Sequence, residues 1–287
     1  MDDHVEHVKC LICQGEDTEV FVRGAGAAQV VRCRKDGLVY RNPRPKADYL
    51  KNFQSTFVAR TSLEWFEHRQ KALRKEADAI KKTKSGGNLL DVGCATGTFF
   101  ESFPTGNWRL HGLDTSHSGL EVARLKYGAQ VFCGTLREAR YPAAFFDVVT
   151  VMDALYYCPD PRAELDEIVR ILKTDGLLAV EIPGLTAFTW RDKGLLSWLL
   201  GRKWVREFGN PGHLYYFSPR AIRFLLADAG FQIVKMVPAP SVSARPLGQA
   251  IHNAYFALAR LLLQVSAGMI SIAGRELYLA TKTLKSN

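Results

Sequence analysis

Apolar runs alternate with amphipathic stretches through the C-terminal two thirds of the chain. Residues 88–92 and FFDVVTVMDAL predict strands, PRAELDEIVRILK predicts a helix, and LLAVEIP predicts the next strand. The alternation in GRELYLATKTL predicts a further strand near the C-terminus. Because strands and helices follow one another at the spacing of βαβ units, the pattern predicts an α/β fold built on a mostly parallel sheet.

A turn of small residues follows the first of these strands. The segment 88–103 reads NLLDVGCATGTFFESF, with Asp91 at the strand end and Gly93 and Gly97 in the turn. Glycines let the backbone approach a ligand closely, and a carboxylate at a strand end accepts hydrogen bonds from hydroxyl or ammonium groups. Asp114 ends the next strand, where a doubly wound fold places the carboxylate that binds ribose hydroxyls. These two strand ends predict a site for a nucleoside or amino-acid cofactor.

Five motifs together resemble the Rossmann-like (class I) S-adenosylmethionine-dependent methyltransferases. They are LLDVGCATG, GLDTS, FFDVVTVMDAL, PDPRAELDEIVRILKTDGLLAVEIP and GHLYYFSPRAIRFLLADAGF, and the resemblance extends over residues 88–282. It implies a seven-stranded, mostly parallel sheet with an antiparallel last strand. It also implies an enzyme that uses S-adenosylmethionine as its cofactor.

The resemblance implies a cofactor site in the turns after successive strands. Asp91, Gly93 and Gly97 match the family's methionine-binding loop, Asp114 its ribose-binding acid, and Thr135 with Leu136 its adenine-contact turn. The chain departs from the family where Ala95 replaces a third glycine and Thr135 replaces an aspartate. The candidate cofactor-binding residues are Asp91, Gly93, Cys94, Gly97, Asp114, Thr115, Thr135, Leu136 and Met152.

The N-terminal segment has the spacing of a metal site. Cys10 and Cys13 form a C-x-x-C pair, and Cys33 follows a β-rich interval. Asp36 stands where related methyltransferases with a zinc ribbon carry a fourth cysteine. Because carboxylates and imidazoles also bind zinc, Asp36 or His7 would complete a tetrahedral structural site with the three thiolates. The sequence leaves open a bound zinc or a ribbon that folds without metal.

Two residues are candidates for catalysis. Methyl transfer from a sulfonium is an in-line displacement, so the enzyme mainly aligns donor and acceptor and excludes water. Many relatives carry a Glu-His pair where this chain has Tyr156 and Tyr157, and Tyr157 is a candidate for contact with the sulfonium or the acceptor. His213 is the candidate base, since it follows a loop marked by Pro and Gly and precedes a predicted helix. A structural role is the alternative for each.

Composition and charge indicate the class of protein and its cellular location. The 287 residues are 47% hydrophobic and 23% charged, which is ordinary for a globular enzyme. The sequence lacks an N-terminal signal pattern and its six cysteines are scattered, so it predicts a cytoplasmic protein. The net charge of +9 is concentrated between residues 32 and 84. This concentration predicts either a surface for nucleic acid, anionic lipid or a phosphorylated substrate, or a solvated helix face.

The predicted organisation is a zinc-ribbon-like segment at 1–45, a helical lid or linker at 46–86 and the methyltransferase domain at 87–287, with inserts at 184–212 and 241–273. The first insert mixes Trp190, Trp198 and Trp204 with basic residues, which suits an amphipathic lid or an interfacial helix. Placing Arg260 of the second insert at the centre of a bilayer would cost about 2.5–3.5 kcal/mol. This cost favours a packed or surface helix over a transmembrane helix. Peripheral membrane contact is therefore an expectation.

The leading functional hypothesis is methylation of a small-molecule or lipid-linked metabolite at oxygen or carbon. The first alternative is an RNA methyltransferase that uses the ribbon and the basic residues, although the Asn/Asp-Pro-Pro-aromatic motif of base-amine methylating relatives is absent from VMDALYYCPDP. The second is a non-catalytic cofactor-binding protein, suggested by Asp36, Thr135 and the missing Glu-His pair.

Overall fold

The computed structural model describes residues 4–23, 29–50, 63–187, 189, 208–239, 246–266 and 268–283. Trp190, Trp198 and Trp204, on which the prediction of an amphipathic lid depends, lie outside the described residues. The same holds for residues 51–62 of the predicted helical lid.

Most of the elements follow the predicted order. The strands are β1 (Val5–Glu6), β2 (Thr18–Arg23), β3 (Gln29–Cys33), β4 (Val39–Arg41), β5 (Arg44–Pro45), β6 (Gly87–Val92), β7 (Trp108–Asp114), β8 (Gln130–Cys133), β9 (Phe146–Met152), β10 (Leu172–Pro183), β11 (Tyr215–Tyr216), β12 (Phe231–Ala239) and β13 (Arg275–Lys282). The helices are α1 (Leu63–Lys81), α2 (His117–Tyr127), α3 (Leu136–Ala139), α4 (Pro161–Ile171), α5 (Pro219–Asp228) and α6 (Pro246–Val265). Short 3-10 helices lie at Thr98–Ser102 and Leu155–Tyr157.

A seven-stranded sheet organises the chain, in the order β12-β13-β10-β9-β6-β7-β8. The pairs from β10 to β8 are all parallel, whereas β13 runs antiparallel to both β10 and β12. This confirms the predicted Rossmann-like sheet with an antiparallel last strand. The carboxyl ends of β6, β7, β9 and β10 meet at one edge, where open α/β sheets bind their ligands.

The core lies on both faces of this sheet. Leu89 and Val148 pack in one buried cluster, and their chain neighbours Leu90 and Val149 pack in the other. Because successive side chains of a strand point to opposite faces, a continuous apolar run is needed wherever helices cover both. The apolar runs in the sequence are explained by this two-sided burial.

Local signals fix the helix ends. Asp160 caps α4 by accepting from the N–H of Ala163 at 3.0 Å, and Ser218 caps α5 by accepting from Ala221. Gly128 ends α2 in the left-handed conformation, with φ of 64°. These residues mark where α4 and α5 begin and where α2 ends.

A four-stranded sheet, in the order β11-β4-β3-β2, lies beside the large one. Three of its strands come from the N-terminal segment, whereas β11 lies at Tyr215–Tyr216, between β10 and α5 in the chain. Tyr215 pairs with Tyr40 and Tyr216 with Val39 in antiparallel register. The ribbon-like segment is therefore completed by a strand that lies far away in the sequence.

The second predicted insert is the connection between β12 and β13. It contains α6, which packs through Ala259 against Ile272 and Ala273. Ala239 and Arg275, which bound the connection, pair with each other, and Arg275 also pairs with Pro183 at the end of β10. The connection therefore leaves the sheet at its ligand edge.

Candidate functional site

The turn after β6 holds three residues in the left-handed region. Gly93, Ala95 and Gly97 have φ of 78°, 48° and 72°. A Cβ at Gly93 would lie 2.8 Å from that of Ala154, and one at Gly97 would lie 2.8 Å from that of Ala123. Ala95 keeps the conformation that glycine favours, although it stands where the resemblance places a glycine. The turn is a tight backbone cradle that is partly buried.

Asp114 fastens this turn to the end of β7. Its Oδ2 accepts from the N–H of Ala95 at 2.9 Å and its Oδ1 from the N–H of Ser116 at 2.8 Å. Burial raises the pKa of Asp114, although these backbone N–H groups oppose the rise. Each carboxylate oxygen has two lone pairs, so Asp114 retains capacity for the hydroxyls of a ligand.

Asp91 is 3% exposed at the end of β6, and its Oδ1 accepts from the Thr150 hydroxyl at 2.6 Å. Desolvation is the main reason why its pKa is raised to about 7; the Thr150 hydrogen bond opposes the rise and the charge of Asp114 adds to it. A buried carboxylate of this kind gains strongly from a nearby cation, which favours its ionised form. The site therefore favours a positively charged ligand.

This donor set fits S-adenosylmethionine. The molecule carries ammonium and sulfonium charges that would meet Asp91, and ribose hydroxyls that would meet Asp114. The two carboxylates lie on paired strands, because Asp91 is in register with Gly112 of β7. The backbone cradle at Gly93 and Gly97 would admit the cofactor where a side chain would block it.

The remaining predicted cofactor residues differ in exposure. Leu136 is fully buried in the core, Cys94 and Met152 are nearly so, and Thr115 is half-buried. Thr135 caps α3: its N–H and its hydroxyl both donate to the carboxylate of Glu138, at 2.7 and 2.9 Å. An adenine contact through that hydroxyl would therefore compete with the cap, and these contacts stay predictions.

The two candidate catalytic residues lie together. Tyr157 Oη and His213 Nε2 are 2.8 Å apart, although 56 positions separate them in the sequence. The rings of Tyr156 and Tyr157 lie 4.6 and 4.9 Å from the imidazole. Desolvation lowers the pKa of His213 to about 4, Asp153 opposes this shift, and Arg41 adds to it. The imidazole is therefore neutral at pH 7 and can accept a proton.

A small cleft opens beside the imidazole. It is lined by Tyr156, Ile182, Pro183, Leu185, His213, Tyr215, Tyr216 and Phe217. Aromatic walls of this kind suit a flat apolar ring. Since Ala154 contacts the Gly93 turn and the 3-10 helix at Leu155–Tyr157 follows directly, the cofactor cradle and the cleft adjoin.

Five charged residues that sequence reasoning missed form a buried network beside the cleft. Arg275 lies 2.6 Å from Asp153 and 3.3 Å from Glu181, and Arg69 pairs with Glu181 and Glu76. Although burial opposes its ionisation, Arg275 and Arg69 hold the pKa of Asp153 below its ordinary value. Burial and the charge of Glu181 raise the pKa of Glu76. The one signal in the sequence was Glu181, a charge inside the apolar run LLAVEIP.

The predicted metal ligands converge. One ligand atom from each of Cys10, Cys13, Cys33 and Asp36 lies within 4.8 Å of all the others. The Cys10 thiol donates to Asp36 Oδ2 at 3.1 Å, and the sulfurs of Cys13 and Cys33 are 3.5 Å apart. Burial raises the pKa of the Cys10 and Cys13 thiols. The set fits tetrahedral zinc, and within the described part of the chain Asp36 completes it rather than the exposed His7.

Several basic residues between 32 and 84 are buried or paired with an acidic residue. Arg41 and Arg69 are 4% and 8% exposed. Arg44 pairs with Glu6 at 2.9 Å, and Lys84 pairs with Asp175 at 2.8 Å. The described part of this segment is therefore a weaker nucleic-acid surface than its charge predicts.

Comparisons with known proteins agree with this geometry. Residues 65–236 match the family model described as a methyltransferase domain. The chain is 27% identical over 183 residues to the ubiquinone biosynthesis O-methyltransferase of Psychrobacter arcticus, covering 59% of this chain and 69% of that protein. It is 33% identical over 117 residues to the demethylmenaquinone methyltransferase of Listeria welshimeri, covering 37% and 49%.

Solved structures share the fold. An S-adenosylmethionine-dependent methyltransferase of Thermotoga maritima, titled a possible histamine N-methyltransferase, has a TM-score of 0.53 at 21% identity, covering 77% of this chain and 94% of that one. A second, from Archaeoglobus fulgidus, has a TM-score of 0.51 at 18% identity, covering 83% and 100%.

Proposed function

We propose that this chain, which belongs to the methyltransferase domain family, methylates a hydroxyl group on the ring of a phenolic, lipid-linked acceptor. Membership makes it an S-adenosylmethionine-dependent methyltransferase, and the acceptor is the proposed part. One juxtaposition carries the proposal: the carboxylates Asp91 and Asp114 with their glycine turn adjoin a cleft of aromatic side chains that contains His213. Relatives named for ubiquinone and demethylmenaquinone chemistry support a quinol-like ring.

The residues of the two adjoining sites would have different roles in methyl transfer. Bound S-adenosylmethionine supplies an electrophilic methyl group. Asp91 would counter its positive charge, Asp114 would hold its ribose, and the cleft would align the acceptor ring and exclude water. His213 would accept the proton of the acceptor hydroxyl while the oxygen–methyl bond forms and the sulfur–methyl bond breaks. A hydrogen bond donated by the Nε2–H of His213 to the Tyr157 oxygen would fix the orientation of the imidazole and leave Nδ1 as the nitrogen that accepts the proton.

Labelled cofactor tests the acceptor class. Methyl-labelled S-adenosylmethionine would be incubated with the protein and, separately, with a short-chain isoprenyl catechol, histamine and total RNA. We expect label in the catechol. Label confined to RNA would overturn the proposal in favour of nucleic acid. No label, together with no cofactor binding by calorimetry, would identify a protein without methyltransferase activity.

Variants of the two candidate catalytic residues test the proton transfer. His213→Asn should leave the Kd for S-adenosylmethionine unchanged while kcat falls by about a hundredfold, the size expected for a lost general base. Tyr157→Phe should lower kcat less, because it removes only the orienting hydrogen bond. An unchanged kcat in His213→Asn would exclude the base.

The exposed face of α6 is proposed to bind an anionic bilayer, from which the enzyme would take its acceptor. Leu258, Leu261 and Val265 recur at helical spacing and are 49%, 55% and 71% exposed, and Met269 and Ile270 extend the stripe at 52% and 55%. No helix of the described residues is long and apolar enough to cross a membrane. Contact would therefore be interfacial.

Charge favours a lipid surface as the occupant of this stripe. Residues 246–274 contain no Asp or Glu, and Arg260 borders the stripe on an exposed position. The net charge of +9 complements anionic lipid. Because the connection leaves the sheet at the ligand edge, a bilayer on this face would lie on the same side as the cleft.

Vesicle sedimentation tests this surface. Wild-type protein should pellet with vesicles of phosphatidylglycerol and phosphatidylcholine, and Leu261→Ser/Val265→Ser should pellet several-fold less. Leu125→Ser is the matched control, since Leu125 is 75% exposed on α2 and should not affect pelleting. Equal pelleting of all three proteins, or equal pelleting with phosphatidylcholine alone, would contradict the proposal.

The cluster of Cys10, Cys13, Cys33 and Asp36 is proposed to hold a structural zinc ion. Four protein ligands leave no open coordination position, which is typical of structural rather than catalytic zinc. Cys33 ends β3 and Asp36 lies in the turn to β4, so the ion would brace the hairpin that pairs with β11.

A further inference from the structure

Arg41, the last residue of β4, grips the turn that carries His213. Its Nη2 donates to the carbonyl oxygens of Phe208 and Asn210 at 2.7 and 2.9 Å, and its Nε donates to that of His213 at 3.3 Å. The guanidinium is buried, with 4% of the residue exposed. One side chain of the N-terminal segment therefore binds three backbone carbonyls between residues 208 and 213.

Backbone hydrogen bonds hold the same turn from two sides. The N–H of Arg41 donates to the Leu214 carbonyl at 2.8 Å, and the N–H of Leu214 donates to the Tyr156 carbonyl at 3.0 Å. The pairing of β4 with β11 begins at the next position, where Tyr40 faces Tyr215. The turn is thus fixed between the N-terminal hairpin and the 3-10 helix that carries Tyr157.

Two hydrogen bonds within the turn support it: the N–H of Gly212 donates to Asn210 Oδ1 at 3.0 Å, and the N–H of His213 donates to the Asn210 carbonyl at 3.1 Å. Its sequence at 210–213 is Asn-Pro-Gly-His, and glycine loses more conformational freedom on ordering than any other residue. Hydrogen bonds from a charged donor are stronger than neutral ones, so the three bonds from the Arg41 guanidinium add strongly to those within the turn. Removing Arg41 should therefore loosen the turn in particular.

We propose that Arg41 is a positioning residue for methyl transfer, which holds the 208–213 turn so that the imidazole of His213 stays against Tyr157. The N-terminal segment is then part of the acceptor site and not only a stabilising appendage. The inference rests on the proposed role of His213 as the base.

The charge of Arg41 also affects the pKa of His213. Desolvation is the main reason why the pKa of His213 is lowered; Asp153 opposes this shift, and the positive charges of Arg41 and Arg275 add to it. The other groups that face the imidazole are the phenols of Tyr156, Tyr157 and Tyr216. Loss of the Arg41 charge should raise the pKa of His213, so the acidic limb of the kcat profile should move to higher pH.

The test compares Arg41→Gln and Arg41→Lys with wild type in the full chain. Amide hydrogen exchange at residues 208–214 should be faster in both variants, and more so in Arg41→Gln. With the catechol acceptor, kcat should fall by about tenfold to a hundredfold, the cost of a small misplacement, while KM for S-adenosylmethionine changes less than about twofold. A third variant, Arg41→Ala, tests rescue: added guanidinium ion should restore part of its kcat by replacing the missing side-chain group.

Arg170→Gln is the matched control. Arg170 also donates to a backbone carbonyl, that of Tyr141, but it lies at the end of α4 away from the ligand edge. It should change neither exchange at 208–214 nor kcat. If Arg41→Gln does not fold, amide exchange and kcat of Arg41→Lys decide whether Arg41 positions the turn.

Two results would overturn the inference: unchanged exchange at 208–214 in the Arg41 variants, or faster exchange with an unchanged kcat and pH profile. Failure of the proposed acceptor is distinguishable, because wild type would then not methylate the catechol. The exchange measurement needs no acceptor, so it would still decide whether Arg41 holds the turn.

Discussion

Arg275 and Asp153 form an ion pair of 2.6 Å between the first residue of the last strand and the residue after β9. Asp153 has φ of 62°, a conformation that residues other than glycine rarely adopt. Its Oδ1 also accepts from the hydroxyl of Tyr156 at 2.5 Å. The antiparallel strand thus contributes a cation that holds a strained acid beside the cleft.

Arg275→Met should lower the free energy of unfolding by about 3–5 kcal/mol, because it leaves Asp153 and Glu181 buried without this partner. Urea denaturation measures the change. Arg124→Met is the control, since the pair of Arg124 with Glu121 lies on the surface and should matter little. Similar losses in the two variants would show that the buried network is not specially stabilising.

Cofactor affinity should depend on the protonation of Asp91. Its pKa is raised to about 7, so below pH 7 a proton competes with the positively charged cofactor. The Kd for S-adenosylmethionine should therefore weaken as pH falls from 8 to 5.5, by up to about tenfold per pH unit for one competing proton. Calorimetry on Asp91→Asn should find weak binding that is less dependent on pH. If the Kd depended on pH in the same way in both proteins, Asp91 would not be the group whose protonation weakens cofactor binding.

The same carboxylate should cost stability. An acid whose pKa is higher in the folded than in the unfolded state destabilises the fold as pH rises from the unfolded pKa through the folded one. For Asp91 this window runs from the ordinary value of 3.8 to about 7. Asp91→Asn should therefore raise Tm at pH 8 and leave it nearly unchanged at pH 4. A lower Tm of Asp91→Asn than of the wild type at pH 8 would show that the ionised Asp91 does not destabilise the fold.

Gly97→Ala should disrupt the cofactor cradle. Gly97 has φ of 72°, and an added Cβ would lie 2.8 Å from both Ala123 Cβ and a ring carbon of Phe100. We expect a loss of about 2–4 kcal/mol in unfolding free energy and weaker cofactor binding, since backbone strain and overpacking add. Gly128→Ala, with φ of 64° and no atom within 4 Å of the added Cβ, should cost about 1 kcal/mol and leave binding unchanged. Equal effects would show that steric contact is unimportant.

Zinc should bind to the N-terminal cluster at about one ion per chain, measured by metal analysis after dialysis. Asp36→Cys should bind zinc more tightly in competition with a chelator, whereas Asp36→Ala should bind it more weakly and lose the increase in Tm that zinc gives the wild type. Cys133→Ser changes an exposed cysteine outside the cluster and should have no effect. Absence of zinc from the wild type would favour a ribbon that folds without metal.

The turn of the proposed cofactor site could be predicted from the sequence because its residues are neighbours. Asp91, Gly93 and Gly97 lie in one turn, and Asp114 ends the strand that pairs with β6. The apolar runs likewise predicted the sheet, since burial on both faces requires them. Local spacing was sufficient for these features.

Contacts between distant segments could not be predicted in this way. Tyr157 and His213 were each candidates, but nothing in either motif indicated a hydrogen bond between them. Arg41 and His213 are 172 positions apart, and their contact depends on the pairing of β4 with β11. β11 is two residues long, too short for hydrophobic alternation to reveal it.

The split origin of the four-stranded sheet has a consequence for synthesis. β4 leaves the ribosome early, whereas its neighbour, Tyr215–Tyr216, follows only after most of the large sheet has been translated. Until then the hairpin presents an unpaired strand edge, which is prone to pairing with other chains. Completion of this small sheet therefore has to wait for the synthesis of residues 215–216.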